Sequence, residues 1–168
     1  AGLVAKRMGL PIDKFIAAHN INDTFFKYLN TGEYAKKTSV LTYSNAMDVG
    51  DPSNYERIDY FYNSELNSIK EDVAACRIDD DATLKEIQDR QENNNYTLDP
   101  HGAVGKLALS ELLKEDEYGV FLETAHPQKF AKVMKKALPE FVEETADLNE
   151  CHKTQLSNNY EAFVKVIF

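Results

Sequence analysis

The chain lacks tryptophan, and it has only seven glycines, five prolines and two cysteines in 168 residues. So little glycine and proline excludes collagen-like and low-complexity disordered chains. Apolar runs long enough to cross a membrane are also missing, so we expect no membrane partner. The chain does have 43% hydrophobic residues, including nine Tyr and nine Phe, which is enough for the core of one domain.

Positive charge is scarce, since 19 Lys and Arg stand against 28 Asp and Glu, for a net charge of -9. An acidic chain without clustered cations disfavours nucleic acid as a partner, because phosphate binding needs Lys and Arg together. Cys76 and Cys151 lie far apart in the sequence and form no CxxC pair. We therefore expect reduced, structural thiols and a cytoplasmic protein.

Several catalytic motifs are absent. No GxSxG serine accompanies the four histidines, and no HExxH, paired-cysteine spacing or glycine-rich phosphate loop occurs. Asp79, Asp80 and Asp81 precede a helical pattern and indicate an acidic helix cap rather than a metal site. His19 and His126 each follow a strand pattern, so each is expected either to line a polar pocket or to cap the next element.

Short apolar runs alternate with helical patterns along the chain. Strands are predicted at 15–18, 39–43 and 120–123. Helices are predicted at 1–8, from 22 or 23 to 32, from 52 or 53 onward, 65–76, 82–91, after 100, from 127, 140–148 and 159–168. Strands separated by helices predict an α/β fold with a parallel sheet and right-handed crossovers.

Four polar loops are candidates for a binding site. Ligands of open α/β sheets bind beyond the carboxyl ends of the strands. The loops at those ends are 19–23, 44–48 and 124–127, and all three are small and polar. The loop 99–102 opens a helix and is expected to join them.

The first helix has a well-marked end and no marked beginning. Gly9 and Pro11 stop it, but no Ser, Thr, Asp or Asn stands ahead of Leu3 as an N-cap, and no initiator Met is present. We therefore expect the chain to be a piece of a longer protein, whose other part holds much of the chemistry.

Five segments, which cover most of the chain, resemble the threonine synthases of the bacterial and fungal type. In order, they are AGLVAKRMGLPIDKFIAAHNINDT, YLNTGEY, SNAMDVGDPSNYERI, YTLDPHGAVG and ETAHPQKF. The resemblance implies a pyridoxal 5'-phosphate (PLP) lyase of the tryptophan-synthase-β-like fold (fold type II), which converts O-phospho-L-homoserine and water to L-threonine and phosphate. Residues 1–168 would be a single-domain fragment, the carboxyl-terminal part of the PLP-binding large domain, with a partial parallel sheet flanked by helices.

The resemblance also implies roles for individual residues. Thr124 would hydrogen-bond the pyridine nitrogen of PLP, with Asn20 and His126 beside the cofactor, although a helix N-cap ahead of Pro127 is an alternative role for Thr124. The residues expected on the substrate side are Asn45, Ser53, Asn54 and His101. The alternative for the DPSN segment is a turn and helix cap. Asp48 and Asp51 suit a phosphate group poorly, unless they fix a loop or a cationic partner.

In this family, the phosphate-binding loop and the Schiff-base lysine belong to the part that would lie upstream. No lysine of this chain lies in a matching motif, so we expect no catalytic residue here and no activity of the chain alone. Its expected partner is the missing amino-terminal part of the same protein. Three alternatives stay open: a related lyase, a threonine-synthase-like homologue without catalysis, and a stand-alone α/β ligand-binding module.

Overall fold

The computed structural model describes residues 1–144 and 159–167. Its helices and strands are, in order, α1 (Gly2–Arg7), β1 (Phe15–His19), α2 (Thr24–Thr31), α3 (Tyr55–Phe61), α4 (Leu66–Asp72), β2 (Val73–Arg77), α5 (Asp80–Asn94), α6 (Pro100–Leu112), α7 (Ala131–Ala137) and α8 (Tyr160–Ile167). Two short 3-10 helices are Asn45–Met47 and Pro127–Phe130. The α/β class predicted from the sequence is confirmed.

Strands β1 and β2 form a parallel sheet in which Phe15 pairs with Val73. Side chains of a strand alternate between the two faces of its sheet. Phe15 and Ala17, on one face of β1, pack against α2 and α4. Ile16 and Ala18, on the other face, pack against α6. The sheet therefore lies between two apolar clusters, and β1 is partly buried along its whole length.

The ends of several helices follow the sequence signals. Asp79 accepts a hydrogen bond from a backbone N–H in the first turn of α5 at 2.9 Å, so the acidic run caps that helix as predicted. Asp99 caps α6 in the same way, with Pro100 as the first helical residue. Gly9 and Gly32 follow α1 and α2 with φ of 100° and 79°, in the left-handed region that favours glycine.

The predicted strand at 39–43 is wrong, because this segment pairs with side chains instead of a neighbouring strand. The backbone N–H of Val40 donates to Asn22 Oδ1 at 2.8 Å, and the Val40 carbonyl accepts from Asn22 Nδ2 at 2.8 Å. The N–H of Thr42 donates to Asp48 Oδ2 at 2.9 Å. An amide side chain thus takes the place of a strand, and the segment is an irregular loop.

The predicted helix at 65–76 is wrong in its last four residues. Helix α4 ends at Asp72, and residues 73–77 form β2. Val73 and Cys76 are buried in two different apolar clusters, so the apolar spacing that resembles a helix belongs to a strand paired with β1. Tertiary pairing overrides the weak helix preference of such a short segment.

Two other helix boundaries differ from the prediction. Helix α3 begins at Tyr55, after an N-cap at Asn54, rather than at 52 or 53. Residues 140–144 are not helical, and the rest of the helix predicted to 148 lies outside the described residues, as does Cys151. The helical pattern at the end of the chain is confirmed by α8.

The predicted strand at 120–123 is wrong, because the segment lies along α6 and pairs with no strand among the described residues. Every second residue of the segment faces α6, and the segment runs in the direction opposite to the helix. The facing pairs are Gly119 with Leu109, Phe121 with Gly105, and Glu123 with Gly102. A period of two is typical of a strand, which explains the sequence pattern, but the segment forms no strand.

Within the described parts of the chain, no helix is both long and apolar enough to span a membrane. In residues 1–144 and 159–167, no three His, Cys, Asp or Glu side chains lie together as a possible metal site. Cys76 is a buried free thiol that donates to Glu111 Oε2 at 2.9 Å. Burial and this carboxylate raise the pKa of Cys76 to about 12. The thiol therefore stays protonated at pH 7, which is typical of a structural, unreactive cysteine.

Candidate functional site

The carboxyl end of β1 opens into a largely buried cluster, here termed the polar hub, which consists of Asn20, Asn22, Thr42, Ser44 and Asp48. Asn20 is only 2% exposed. Its Oδ1 accepts from the backbone N–H of Asn22 at 2.8 Å, and its Nδ2 lies 2.8 Å from Thr42 Oγ1 and 2.9 Å from Asp48 Oδ1. Both atoms of this amide are therefore used inside the protein.

Asp48 ties the loop 42–48 to the end of β1. Its Oδ1 accepts from Nδ2 of Asn20 and Asn22, at 2.9 and 3.0 Å, and from Thr42 Oγ1 at 2.7 Å. Its Oδ2 accepts the backbone N–H of Thr42 at 2.9 Å. The carboxylate thus fixes a loop, which is one of the two roles expected from the sequence. Asn45 is exposed in the loop that Asp48 holds.

His101 connects two of the loops that the sequence singled out. Its Nδ1 lies 2.7 Å from Asp99 Oδ1, and its Nε2 accepts the backbone N–H of Ala46 at 3.1 Å. Because Nε2 accepts, this arrangement assigns the ring proton to Nδ1, which donates to Asp99. The first turn of α6 therefore meets the loop 42–48, and both ring nitrogens of His101 are used inside the protein.

Thr124 and His126 line a cavity of about 610 Å³ together with the rings of Tyr96 and Phe141. His126 caps the next 3-10 helix, because its Nδ1 accepts the backbone N–H of Gln128 at 3.3 Å. The capping alternative thus applies to His126 and not to Thr124. Thr124 is exposed, and its hydroxyl makes no hydrogen bond with the residues that the structure describes.

Glu123 links this cavity to the start of α6. Its Oε2 accepts from the Tyr96 hydroxyl at 2.6 Å, and its Oε1 accepts the backbone N–H of Asp99 at 3.1 Å. The carboxylate lies at the helix N-terminus, where a negative charge is favourable. Hydrogen bonds therefore connect the loop 42–48, at Ala46, through His101 and Asp99 to Glu123, the residue directly before Thr124.

Glu123 and Tyr96 carry no sequence signal that marks them as parts of the site. The Glu123 partners lie 27 and 24 residues earlier in the chain, and no local pattern reports a pair at that separation. Asp99 carried a signal, since an Asp-Pro pair ahead of a helical pattern is a typical helix start.

Ser53 and Asn54 lie apart from the other residues expected on the substrate side. Both are exposed ahead of α3, and Asn54 lines a second cavity, of about 480 Å³, between α1, β1 and α3. His19 lies on the wall of the same cavity. Among the described residues, no hydrogen bond connects Ser53 or Asn54 with Asn45 or His101.

His19 lines a pocket rather than capping an element. Its Nε2 is buried and has no hydrogen-bond partner among the described residues. Burial lowers the pKa of His19 to about 4, although Asp23 opposes this effect, and Lys37 adds to it. The imidazole is therefore neutral at pH 7.

The free energy of unfolding is expected to fall by up to about 3 kcal/mol as the pH falls from about 6.5 to about 4. The pKa of His19 is about 6.5 in the unfolded chain and about 4 in the folded chain, so the unfolded chain takes up the proton first as the pH falls. The contribution of neutral His19 to the free energy of unfolding is complete above pH 6.5 and is lost as the pH falls towards 4. Urea unfolding of the chain and of His19→Leu at pH 7, 5.5 and 4.5 measures the difference. Equal pH slopes for the two proteins contradict the prediction.

No protein-family model matches the chain, but individual proteins do. Over 150 residues it is 39% identical to the threonine synthase of Escherichia coli, and the match covers 89% of this chain and 35% of that protein. It is 31% identical to the threonine synthase of Saccharomyces cerevisiae, with 84% of this chain and 36% of that protein covered. The chain thus spans about a third of the length of the curated relatives it matches.

Solved structures agree with the sequence matches. The crystal structure of E. coli threonine synthase superimposes with a TM-score of 0.80, over 89% of this chain and 34% of that chain. PLP-bound threonine synthase from Brucella melitensis superimposes with a TM-score of 0.79 at 31% identity, over 89% of this chain and 37% of that chain. These matches define the class, since the chain has the α/β fold of part of a fold type II PLP enzyme. Over most of its own length the chain is homologous to threonine synthase, which confirms the resemblance seen in its motifs.

Proposed function

We propose that this chain is a functional part of a threonine synthase, a PLP-dependent lyase that converts O-phospho-L-homoserine and water to L-threonine and phosphate. The observation that carries the proposal is the 39% identity and TM-score of 0.80 to the E. coli enzyme over 89% of the chain. We place residues 1–168 as one domain fragment in the carboxyl-terminal part of the large domain, in a cytoplasmic enzyme. Its partner is the rest of the same protein.

The cavity beside Thr124 suits one edge of the PLP ring. A threonine hydroxyl can both donate and accept a hydrogen bond, so the Thr124 hydroxyl can bind and orient the pyridine nitrogen. A carboxylate at this position would favour the protonated nitrogen, whereas a hydroxyl does not force protonation. Tyr96 and Phe141 supply apolar wall, and His126 lies on the same wall. When bound, PLP supplies the electron sink of the reaction. Glu123 holds the segment that carries Thr124 against α6.

The buried residues of the polar hub position the site by holding the loop 42–48 rather than by touching the ligand. Because both amide atoms of Asn20 are used inside the protein, we propose that it shapes the cofactor side by holding the loop 42–48. His101 acts similarly, by holding Ala46 next to the exposed Asn45. Asn45, Ser53 and Asn54 are exposed neutral groups that suit a phosphate ester, and we propose them for the substrate side.

The purified chain alone is expected to form no threonine from O-phosphohomoserine. Among the residues that the structure describes, no lysine lines the cavity beside Thr124, which supports a Schiff-base lysine supplied from outside this chain. Addition of PLP, borohydride reduction and intact-mass measurement should show no adduct at a specific lysine, whereas the E. coli enzyme treated in parallel should be labelled. Turnover by the chain, or a stoichiometric adduct at one of its lysines, contradicts this prediction.

A chimaera tests the activity itself. This chain replaces the matching 150 residues of the E. coli enzyme, and the chimaera is expected to bind PLP and to form threonine. Thr124→Val should lower kcat/KM by about 10-fold or more, since a lost hydrogen bond to the cofactor is worth at least about 1.4 kcal/mol, whereas Thr124→Ser should stay within a few-fold. A chimaera that binds PLP without forming threonine overturns the proposed function. Equal kcat/KM for Thr124→Val overturns the role of Thr124.

A further inference from the structure

The tip of the loop 42–48 is held by the imidazole of His101. The backbone N–H of Ala46 donates to His101 Nε2 at 3.1 Å, and it has no other hydrogen-bond acceptor among the residues that the structure describes. Asn45 and Ala46 are both exposed at this tip. One hydrogen bond to a histidine therefore fixes the backbone directly after Asn45.

This hydrogen bond can form only while His101 is neutral. A neutral imidazole has one nitrogen that donates and one that accepts. The Nδ1–H of His101 is directed at Asp99 Oδ1, 2.7 Å away, so the lone pair lies on Nε2 and meets the N–H of Ala46. A proton from solvent would bind to the same lone pair, and the Nε2–H would then face another donor. Protonation of the ring and the bond to Ala46 therefore exclude each other.

Two opposing charges act on the ring from its own helix. The buried carboxylate of Asp99 favours a charged ring, whereas the positive end of the α6 dipole disfavours one. Glu123 adds a second carboxylate nearby, bound to the backbone N–H of Asp99 at 3.1 Å. The His101 side chain is 11% exposed, so solvent protons can reach it.

The other two segments that pack against His101 bring no charge into contact with it. Phe130, from the 3-10 helix Pro127–Phe130, lies against the ring with the two centroids 4.6 Å apart. The loop 42–48 presents the backbone N–H of Ala46. The titratable side chains of these two segments are hydrogen-bonded to other groups or exposed; they are Tyr43, Asp48, His126 and Lys129.

We propose that His101 is a positioning residue whose hold on the loop is controlled by a proton. Neutral His101 fixes Ala46, and with it Asn45, for the substrate, whereas protonated His101 releases this tip. The rest of the loop stays in place, because Asp48 binds Thr42 Oγ1 at 2.7 Å and the Thr42 N–H at 2.9 Å. The proposal rests on the proposed function, in which Asn45 lies on the substrate side, and it adds that substrate affinity depends on the charge of His101.

The direction of the effect follows from linkage. A proton that releases the tip weakens substrate binding, and bound substrate opposes protonation by the same factor. Acid pH should therefore raise KM for the substrate without a matching change in the retention of PLP.

NMR of the isotope-labelled chain between about pH 8 and about pH 5, the range in which histidines change charge, tests the hold directly. At the upper end, the ring nitrogen shifts of His101 should show a proton on Nδ1 and none on Nε2. As the pH falls, the amide signal of Ala46 should move with the same midpoint as the ring.

Two variants separate the proton from the hydrogen bond. In His101→Gln, the side-chain oxygen can accept from Ala46 and takes up no proton, so the Ala46 signal should stay constant over the range. His101→Phe keeps a ring against Phe130 and offers no acceptor. Protection of the Ala46 amide from hydrogen exchange should then fall by about fivefold or more at every pH, as for one lost hydrogen bond.

The chimaera measures the consequence for the substrate. Relative to His101→Gln, KM for O-phosphohomoserine should rise by about fivefold between about pH 8 and about pH 5. The substrate phosphate changes charge in the same range, so the ratio of the two proteins at each pH is the quantity to compare. The retention of PLP, followed by absorbance, should keep a constant ratio.

The outcomes are distinct. A His101 ring that stays neutral down to about pH 5 overturns the proposal. So does an Ala46 signal that does not follow the ring, or that moves equally in His101→Gln while both proteins melt alike. Equal KM profiles for the chimaera and its His101→Gln variant overturn the effect on the substrate. An inactive chimaera overturns the proposed function and that effect with it, whereas NMR of the chain still decides whether a proton controls the hold.

Discussion

Gly50→Ala is expected to lower the free energy of unfolding by at least about 3 kcal/mol. A Cβ at this position would lie 1.9 Å from the carbonyl oxygen of Lys37 and 2.8 Å from its carbonyl carbon. Both are backbone atoms, so no side-chain rotation relieves the overlap. The Gly50 carbonyl is held by the N–H of Lys37 at 3.2 Å and by Thr24 Oγ1 at 2.8 Å, so moving this backbone apart would break both bonds.

Gly105→Ala is the matched control, with an effect of the opposite sign. Gly105 lies inside α6, and a Cβ there would meet Phe121 at 3.7 Å, an ordinary contact. The substitution is expected to stabilise the chain by about 0.5 to 1 kcal/mol, the usual gain of Ala over Gly within a helix. Urea unfolding followed by circular dichroism at pH 7 measures both variants. A Gly50→Ala chain as stable as the parent would show that Lys37 does not approach this closely.

Asp48→Asn is expected to lower the free energy of unfolding by about 2 to 4 kcal/mol. Asp48 accepts hydrogen bonds from both amide side chains of the polar hub and from the backbone and hydroxyl of Thr42. An asparagine keeps one oxygen and places an N–H group opposite donors, so at least one inward-pointing donor loses its acceptor. The backbone N–H of Thr42 should also lose protection from hydrogen exchange.

Asp51→Asn separates this effect from a general loss of charge. Asp51 is an exposed carboxylate that accepts from Tyr34 Oη at 3.0 Å and pairs with Lys36 at 3.0 Å. Exposed ion pairs contribute little, so this variant should unfold close to the parent. Equal losses of stability in the two variants would mean that the hydrogen bonds of the polar hub do not set the effect of Asp48.

The polar hub has a direct consequence for the proposed enzyme. The side chains of the hub are hydrogen-bonded to one another, and they fix the loop that carries Asn45. His101 and Asp99 connect the same loop, at Ala46, to Glu123, next to Thr124. Substitutions in the hub should therefore lower activity of the chimaera through loop geometry, as positioning effects do.

Sequence alone determined the features that depend on residues close together in the chain. Asp79 and Asp99 mark helix starts because a short polar side chain satisfies backbone N–H groups two or three residues ahead. Gly9 and Gly32 mark helix ends because only glycine takes a positive φ there without strain. The polar loops after β1 and ahead of α6, and the family to which the motifs point, were predicted on the same local basis.

Only the tertiary structure decided which segments pair and which polar groups meet. Residues 73–77 become a strand because β1 offers them a partner, whereas 39–43 do not because Asn22 and Asp48 satisfy their backbone first. Residues 120–123 keep the period of a strand and lack a neighbour among the described residues. Hydrogen bonds and packing between distant segments depend on which surfaces fold together, and no short stretch of sequence contains that information.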